Sequence, residues 1–371
     1  MLAERTRRWL FVSKPVRPPF RDGTTVLVRS LIEQLPPELE LTYFGDPSRA
    51  LRPGRDRIID APPMGYAPGL VDKARVLGAL IDPRRLRTPL HFFFTPNPIT
   101  SSVLATLRRL QPGRVMVQSV MSPVGASEVV RQLRGLDAVV CASEHSRRAL
   151  CDAGLSASVV HRIHPGVEIP SEASSRVARH RRLLYAGDLD QAVARRVLSI
   201  VSLLRRPELE GWTLTLACRP KGPEHGSARD ELTRKLVEDL GTRRVEMLSE
   251  VPDMDALLRR TSLQVFLADH VRNKVDLPLV LLEGMARGVG LVSLDFEPVS
   301  EIFASGRALG RNPGACVASD DPEALPMTLL ELMTDPSRLE RCGSAARDLA
   351  REAFSANVMA RRYADLYASL R

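Results

Sequence analysis

The chain has 371 residues, 44% of them hydrophobic, so it is too long for one typical domain and apolar enough for two cores of about 150 to 200 residues each. No run of about 18 apolar residues occurs, so no membrane span is expected. The five cysteines (Cys141, Cys151, Cys218, Cys316, Cys342) lack metal-ligand spacing and point to reduced thiols in a cytosol. The start, MLAERTRRWLFVSKP, has too brief an apolar run for a signal peptide and is expected to hold a first strand, Arg8 to Ser13. A loop containing Gly23 and a helix from about Thr24 to Gln34 follow. Strand, glycine loop and helix open a doubly wound sheet, whose ligands sit at the carboxyl ends of strands, and Gly23 is a candidate for close backbone approach to a phosphate. Leu39 to Phe44 reads as a second strand. Residues 46–90 are rich in Pro and Arg and are expected to be loops with one helix near Val71 to Leu80.

From there strands and helices alternate. The expected strands are Leu90 to Phe94, Val115 to Val120, Ala138 to Ala142 and Val159 to Ile163; the helices between them are Ser101 to Leu110, Glu128 to Arg134 and a segment capped by Ser143 that ends at Ala153. HPGVEIPSEAS reads as a linker. The pattern then restarts with strands Arg182 to Tyr185, Trp212 to Ala217, Val245 to Leu248 and Leu263 to Leu267, separated by helices Ala192 to Leu204, Ser227 to Leu240 and Met254 to Arg260. The expected fold class is therefore α/β, with two doubly wound, Rossmann-like parallel sheets facing across a cleft.

The stretch Val271 to Asp295 is the richest in chemistry. It reads as a polar loop, a short helix started by Asp276 and Pro278 and stopped at Gly288, and a buried strand Val289 to Leu294. Leu279, Leu282 and Met285 face a core at helical spacing, while Glu283 lies on a neighbouring face. A carboxylate there can accept two hydrogen bonds from a vicinal diol, as ribose hydroxyls demand, and the N–H groups of the helix start suit a diphosphate. A solvated helix charge is the other reading of Glu283. Asp188-Leu189-Asp190 looks like a metal clamp but precedes a helix, and is expected to be a capped turn. His161 and His164 have no carboxylate cluster nearby, so no metal site is expected.

Residues 1–170 hold 24 Lys+Arg against 15 Asp+Glu, whereas the remainder holds 29 of each, so the net charge of +9 lies wholly in the first part. Such a field attracts a phosphorylated or lipid-linked partner, or the anionic face of a membrane; Arg52, Arg55, Arg57, Arg84, Arg85 and Arg87 are its loop candidates. The basic residues are scattered, aromatics are 5%, and no nucleic-acid module is recognisable, so no nucleic-acid partner is expected.

Taken in order, CASEHSRRALCDAG, HRIHPGVEIP, RRLLYAGDL, VPDMDALLRRTSLQVFL and DLPLVLLEGMARGVGLVSLDFEPVSEI resemble the family 4 retaining glycosyltransferases of GT-B architecture, over nearly the whole chain. The resemblance implies an acceptor-binding domain at 1–168, a nucleotide-sugar-binding domain at 169–350, and a C-terminal helix at 351–371 (FSANVMARRYADLYASL) that crosses back onto the first domain. It implies transfer of a hexosyl group from a UDP- or GDP-sugar, with retention and without a metal or other cofactor, to an acceptor that is anionic, lipid-linked or a surface glycan precursor. The enzyme would be cytoplasmic, with peripheral contact to the inner face of a membrane.

This sequence departs from the family pattern in particular places. Glu283 matches the second glutamate of the family, but the first is replaced by Val275 with Asp276 adjacent, and the Gly-Arg pair is Gly187-Asp188. The positive charge for the leaving diphosphate would come from Arg219 and Lys221, with Arg195 and Lys274 as further candidates. The family's histidine after a central strand is absent from VQSVMSP, leaving Gln118 and Ser119 as substitutes. The catalytic candidates are therefore Arg219, Lys221, Asp276 and Gln118, and the donor-binding candidates Gly23, Gly187, Arg195, Lys274, Pro278, Leu279 and Glu283. The alternative reading is a GT-B-shaped binding or scaffold protein that has lost the chemistry; an epimerase of the same architecture is a third.

Overall fold

The computed structural model describes residues 7–18, 20, 22–63, 69–94, 96–122, 130, 133–171, 180–218, 223–241, 243–271 and 275–370. The chain divides into two units: Met1–Gly166 with Arg272–Asp276 and Ala356–Arg371, and Val167–Val271 with Leu277–Ser355.

The first unit is built on strands whose side chains are buried on both faces, as an all-parallel sheet covered by helices requires. In β1 (Arg7–Val16) the consecutive residues Leu10, Phe11 and Val12 are all buried. Around it stand β2 (Leu39–Gly45), β3 (Arg57–Asp60), β4 (Leu90–Phe92), β5 (Met116–Val120), β6 (Ala138–Cys141) and β7 (Val160–Arg162), in the order β3-β2-β1-β4-β5-β6-β7. Every pairing is parallel, and the order reverses between β1 and β4. The helices are α1 (Gly23–Gln34), α2 (Leu70–Ile81), α3 (Pro98–Leu110) and α4 (Glu144–Asp152). Ser143 caps α4 as its position predicts, accepting from the Ser146 N–H.

Two expectations for this unit need correction. The Pro- and Arg-rich stretch contains a strand, β3, as well as the helix: its RIID segment pairs only with β2 at the sheet edge and is only partly buried, so it lacks the apolar run that marks the inner strands. Arg52 is not a loop cation open to a ligand. It is buried, with its guanidinium on the Asp56 carboxylate and on the carbonyls of Leu35, Pro36 and Leu39. The expected helix Glu128 to Arg134 lies largely outside the described residues; Leu133–Gly135 forms a 3-10 turn.

The C-terminal helix α12 (Ala356–Ser369; elements between it and α4 are given below) belongs to this unit and is fixed by a buried polar cluster. Tyr367 stacks on Trp9, and its hydroxyl meets His91 Nδ1 at 2.6 Å. His91 Nε2 is 2.8 Å from Ser119 Oγ, which is 2.9 Å from the Tyr363 hydroxyl. Burial holds His91 well below the ordinary histidine range and pushes both tyrosines up, which favours the neutral imidazole, one ring nitrogen donating to a hydroxyl and the other accepting from one. Because the unfolded chain takes up a proton near pH 6.5 that the folded chain refuses, this group stabilises the fold above pH 6.5 and loses that contribution below it. Denaturant melts at pH 7 and pH 5.5 should show the wild type losing about 1 kcal/mol more stability over that interval than His91→Gln. Equal losses would mean that His91 is charged in the fold.

The second unit repeats the architecture. Its strands are β8 (Arg182–Ala186), β9 (Thr213–Ala217), β10 (Val245–Leu248), β11 (Leu263–Phe266), β12 (Gly290–Leu294) and β13 (Gly314–Val317), in the order β10-β9-β8-β11-β12-β13 with all pairs parallel. The helices are α5 (Gln191–Leu204), α6 (Pro223–Leu240), α7 (Met254–Arg259), α8 (Leu279–Ala286), α9 (Ser300–Ala308), α10 (Ala324–Thr334) and α11 (Pro336–Ala353). The fold class is thus the expected one: α/β, with two Rossmann-like units. In this unit the order reverses between β8 and β11, and ligands of doubly wound sheets bind outside the carboxyl ends of the strands at such a point.

Candidate functional site

The segments that leave the carboxyl ends of β8 and β11 are held together by specific bonds. After β8 the chain turns through Gly187 to Asp190. The Tyr185 hydroxyl donates to the Asp188 carbonyl at 2.5 Å, and a Cβ on Gly187 would stand 2.6 Å from that phenolic oxygen. Glycine is therefore required here by the buried tyrosine beneath the turn, a packing reason that the motif does not reveal. Asp190 caps α5 through the Val193 N–H, which makes Asp188-Leu189-Asp190 the capped turn expected. Its other oxygen faces His270 Nε2 at 3.6 Å, and Arg196 reaches from α5 to the Leu267 carbonyl and the Asp269 carboxylate, each at 2.9 Å. Arg196 holds the Asp269 carboxyl below its usual range. The cation that α5 turns toward this strand end is Arg196; its neighbour Arg195 is exposed.

Helix α8 returns along β11. Gly284 permits the contact, because a Cβ there would collide with the Gln264 side-chain oxygen. The helix stops as its glycine predicts: Gly288 has φ +72°, its N–H bonds the Met285 carbonyl at 2.7 Å, and Val289 N–H bonds the Gly284 carbonyl at 3.0 Å. These are the paired bonds of a Schellman cap. Buried Pro278 is the N-cap and offers no side-chain acceptor; its carbonyl takes the Leu281 N–H at 2.9 Å, which leaves the N–H groups of Leu279 and Val280 without a cap.

Glu283 is the fifth residue of α8 and is half-buried. Burial raises its carboxyl above the ordinary value, Arg287 opposes the rise, and the like charge of Asp255 adds to it. Arg287 is committed elsewhere: it donates to the Glu283 backbone carbonyl at 2.9 Å and to Asp255 at 2.6 Å, while Asp255 also receives Arg259. The Glu283 carboxylate accepts no hydrogen bond among the described residues. A partly desolvated carboxylate with both oxygens open is suited to a donor pair brought by a ligand.

Two sequence-predicted residues have other work in the fold. Asp276 does not start α8. It is buried, takes a 2.6 Å hydrogen bond from Ser143 Oγ, donates its N–H to the Met121 carbonyl, and falls in the first unit. Gln118 is buried on β5, where Nε2 donates to the carbonyls of Phe92, Phe94 and Ser119 and ties β5 to the end of β4. Gly23 is the first residue of α1, behind the N-cap Asp22, which bonds Thr25 and pairs with Lys14. Arg219, Lys221 and Lys274 lie outside the described residues. Sequence reasoning missed Asp255, Arg196 and His270; the first two read as ordinary helix charges, and only the β8–β11 reversal brings the last toward Asp190.

Elsewhere in this unit a groove of about 450 Å³ is lined by Arg181, Trp212, Ser262, Gly288, Leu339 and Arg347 among others. Arg181, Trp212, Ser262 and Gly288 precede strands, so it lies at their amino ends, opposite the ligand-binding end of such a sheet. No group of three His, Cys, Asp or Glu side chains suited to a metal occurs among the described residues.

Residues 180–335 match the family model described as glycosyl transferases group 1. No curated protein matches the sequence. Among solved structures, the chain is similar to Anabaena Alr3699/HepE in complex with UDP and glucose (TM-score 0.70, 15% identity, 98% of this chain and 100% of that one). It is also similar to sucrose-phosphate synthase of Thermosynechococcus elongatus (0.71, 18%, 98% and 99%) and to an α,α-trehalose-phosphate synthase (UDP-forming) of Burkholderia vietnamiensis (0.68, 13%, 98% and 100%). The fold is that of the GT-B glycosyltransferases, and the matched family segment contains β8 to α10 with Gly187 and Glu283.

Proposed function

We propose that the chain is a glycosyltransferase that moves a hexosyl group from a nucleotide-sugar donor to an acceptor, with retention of configuration and without a metal. The observation that supports it best is the open, half-buried carboxylate of Glu283 on a helix whose start has no side-chain cap, inside the segment that matches glycosyl transferases group 1. In this reading Glu283 accepts both ribose hydroxyls, and the N–H groups at the start of α8 face the diphosphate. Negative charge grows on that diphosphate as the glycosidic bond breaks, so Arg219, Lys221 and Lys274 are assigned to its stabilisation. Asp276 and Gln118 act as positioning residues, since their polar atoms are bonded to Ser143 and to backbone carbonyls. A uridine nucleotide is favoured over a guanosine one, because the similar Anabaena protein is seen with UDP and with UDP-glucose.

That same engagement of Asp276 and Gln118 favours a second reading, a GT-B-shaped binding protein that has lost transfer. The two separate in one assay. Each UDP- and GDP-sugar is incubated with the protein and the released nucleoside diphosphate is measured. With water taking the glycosyl group in place of the acceptor, a transferase releases nucleoside diphosphate from one donor well above the rate in buffer; tight binding of a donor with no release from any favours the binding protein.

A further inference from the structure

A surface helix of a globular unit normally turns its charged residues outward and its apolar ones inward. Helix α2 does otherwise. Its inner side is apolar, with Val76 and Ala79 packed on Phe44, Ile59 and Ala61, and with Leu80 buried beside them. Its outer side is apolar too: Leu70 (84% exposed), Leu77 (48%) and Ile81 (53%) recur with exposed Ala74 on one face, and Val71 (71%) stands beside them. Leu86 in the following turn continues the ridge, so five of the eight large exposed apolar side chains among the described residues fall within 70–86.

The charge around this ridge has one sign left over. Asp72 bonds the Gly69 N–H and pairs with Arg75, and Asp82 bonds the Arg84 N–H and pairs with Arg85. Lys73, Arg84 and Arg87 are exposed and form no ion pair among the described residues. The ridge is also held in place from behind. Buried Arg114 donates to the carbonyls of Leu80, Arg85 and Thr88, which fixes the end of α2 and the turn after it.

We propose that α2 is a membrane-docking ridge: Leu70, Val71, Leu77 and Ile81 enter the headgroup region of an anionic bilayer, and Lys73, Arg84 and Arg87 meet its phosphates. An apolar face bordered by unpaired cations matches such a surface, where burial of the side chains and attraction to acidic lipid act together. The inference stands on the exposed face and its cations, and is independent of the transferase reading.

The test uses the full chain and sedimentation with vesicles of phosphatidylcholine alone, or of phosphatidylcholine with phosphatidylglycerol, at several salt concentrations. The wild type binds the acidic vesicles at least about tenfold better than the neutral ones, and binding falls as salt rises. Leu70→Ser/Leu77→Ser/Ile81→Ser lowers binding by about tenfold or more, and Arg84→Glu/Arg87→Glu by a similar factor. All five side chains are exposed, so both variants keep the wild-type melting temperature. As a variant that keeps the apolar face, Leu77→Trp shifts its emission to the blue on acidic vesicles only; Trp9 and Trp212 are both buried and give little background. Undiminished binding by the triple serine variant overturns the proposal, as does equal binding to neutral vesicles or none to either. A wild-type dimer that the three serines convert to a monomer, without vesicle binding, assigns the ridge to a second copy of the chain instead.

Discussion

Arg114→Ala is expected to lower the stability of the first unit by about 3–5 kcal/mol, the cost typical of breaking a buried charged hydrogen-bond network. The guanidinium is buried with no carboxylate paired to it among the described residues, and burial brings its pKa down to about 10. Its whole fork is used on neutral acceptors: Nε on the Thr88 carbonyl at 2.7 Å, Nη1 on the Leu80 carbonyl at 3.0 Å and on Gln111 Oε1 at 2.6 Å, and Nη2 on the Arg85 carbonyl at 2.9 Å. Alanine removes every one of these donors at once, and each acceptor left dry costs about 1–3 kcal/mol unless water enters. Arg114→Lys should recover less than half of the loss, because an ammonium cannot span acceptors fixed for a planar fork. Urea unfolding followed by circular dichroism measures both variants. An alanine variant within 1 kcal/mol of wild type would mean that water replaces the guanidinium.

How much of this could be read in advance follows from what each feature depends on. Strands β1, β5, β6, β8 and β11 are legible because a parallel sheet demands apolar residues on both faces, and helix ends at Ser143, Asp190 and Gly288 are legible because capping is decided within a few residues. Edge strand β3 escapes notice because half of its surface is not buried. Arg52 and Arg114 sit in segments that look like solvated basic loops; their acceptors come from elements far along the chain, which no local window contains. Asp276 shows the same limit on the site itself. Its place before Pro278 suggests a helix start, yet its carboxylate is taken by Ser143, 133 residues away in sequence. Glu283 was legible as a position on α8 because helical spacing sets it off the core face, but its open carboxylate and its Asp255 neighbour are visible only in three dimensions.

The largest functional effect is expected at Glu283. If its carboxylate accepts both hydroxyls of a ribose, Glu283→Gln removes the charge and one acceptor, weakening nucleotide binding by about 1.5–3 kcal/mol, roughly ten- to a hundredfold. The same substitution should not harm the empty protein. Burial raises the Glu283 carboxyl, so the folded state binds its proton more tightly than the unfolded chain; the group favours folding at low pH and opposes it once pH exceeds the raised value. The neutral amide escapes that penalty, and the ligand-free variant should melt no lower than the wild type at pH 7.5. Calorimetric titration of UDP and GDP into wild type and Glu283→Gln, with the melting temperature of each ligand-free protein, tests the central claim most directly. The account predicts a ten- to hundredfold weaker Kd for the preferred nucleotide with no loss of thermal stability; an unchanged Kd, or a variant that loses stability and affinity together, would contradict it.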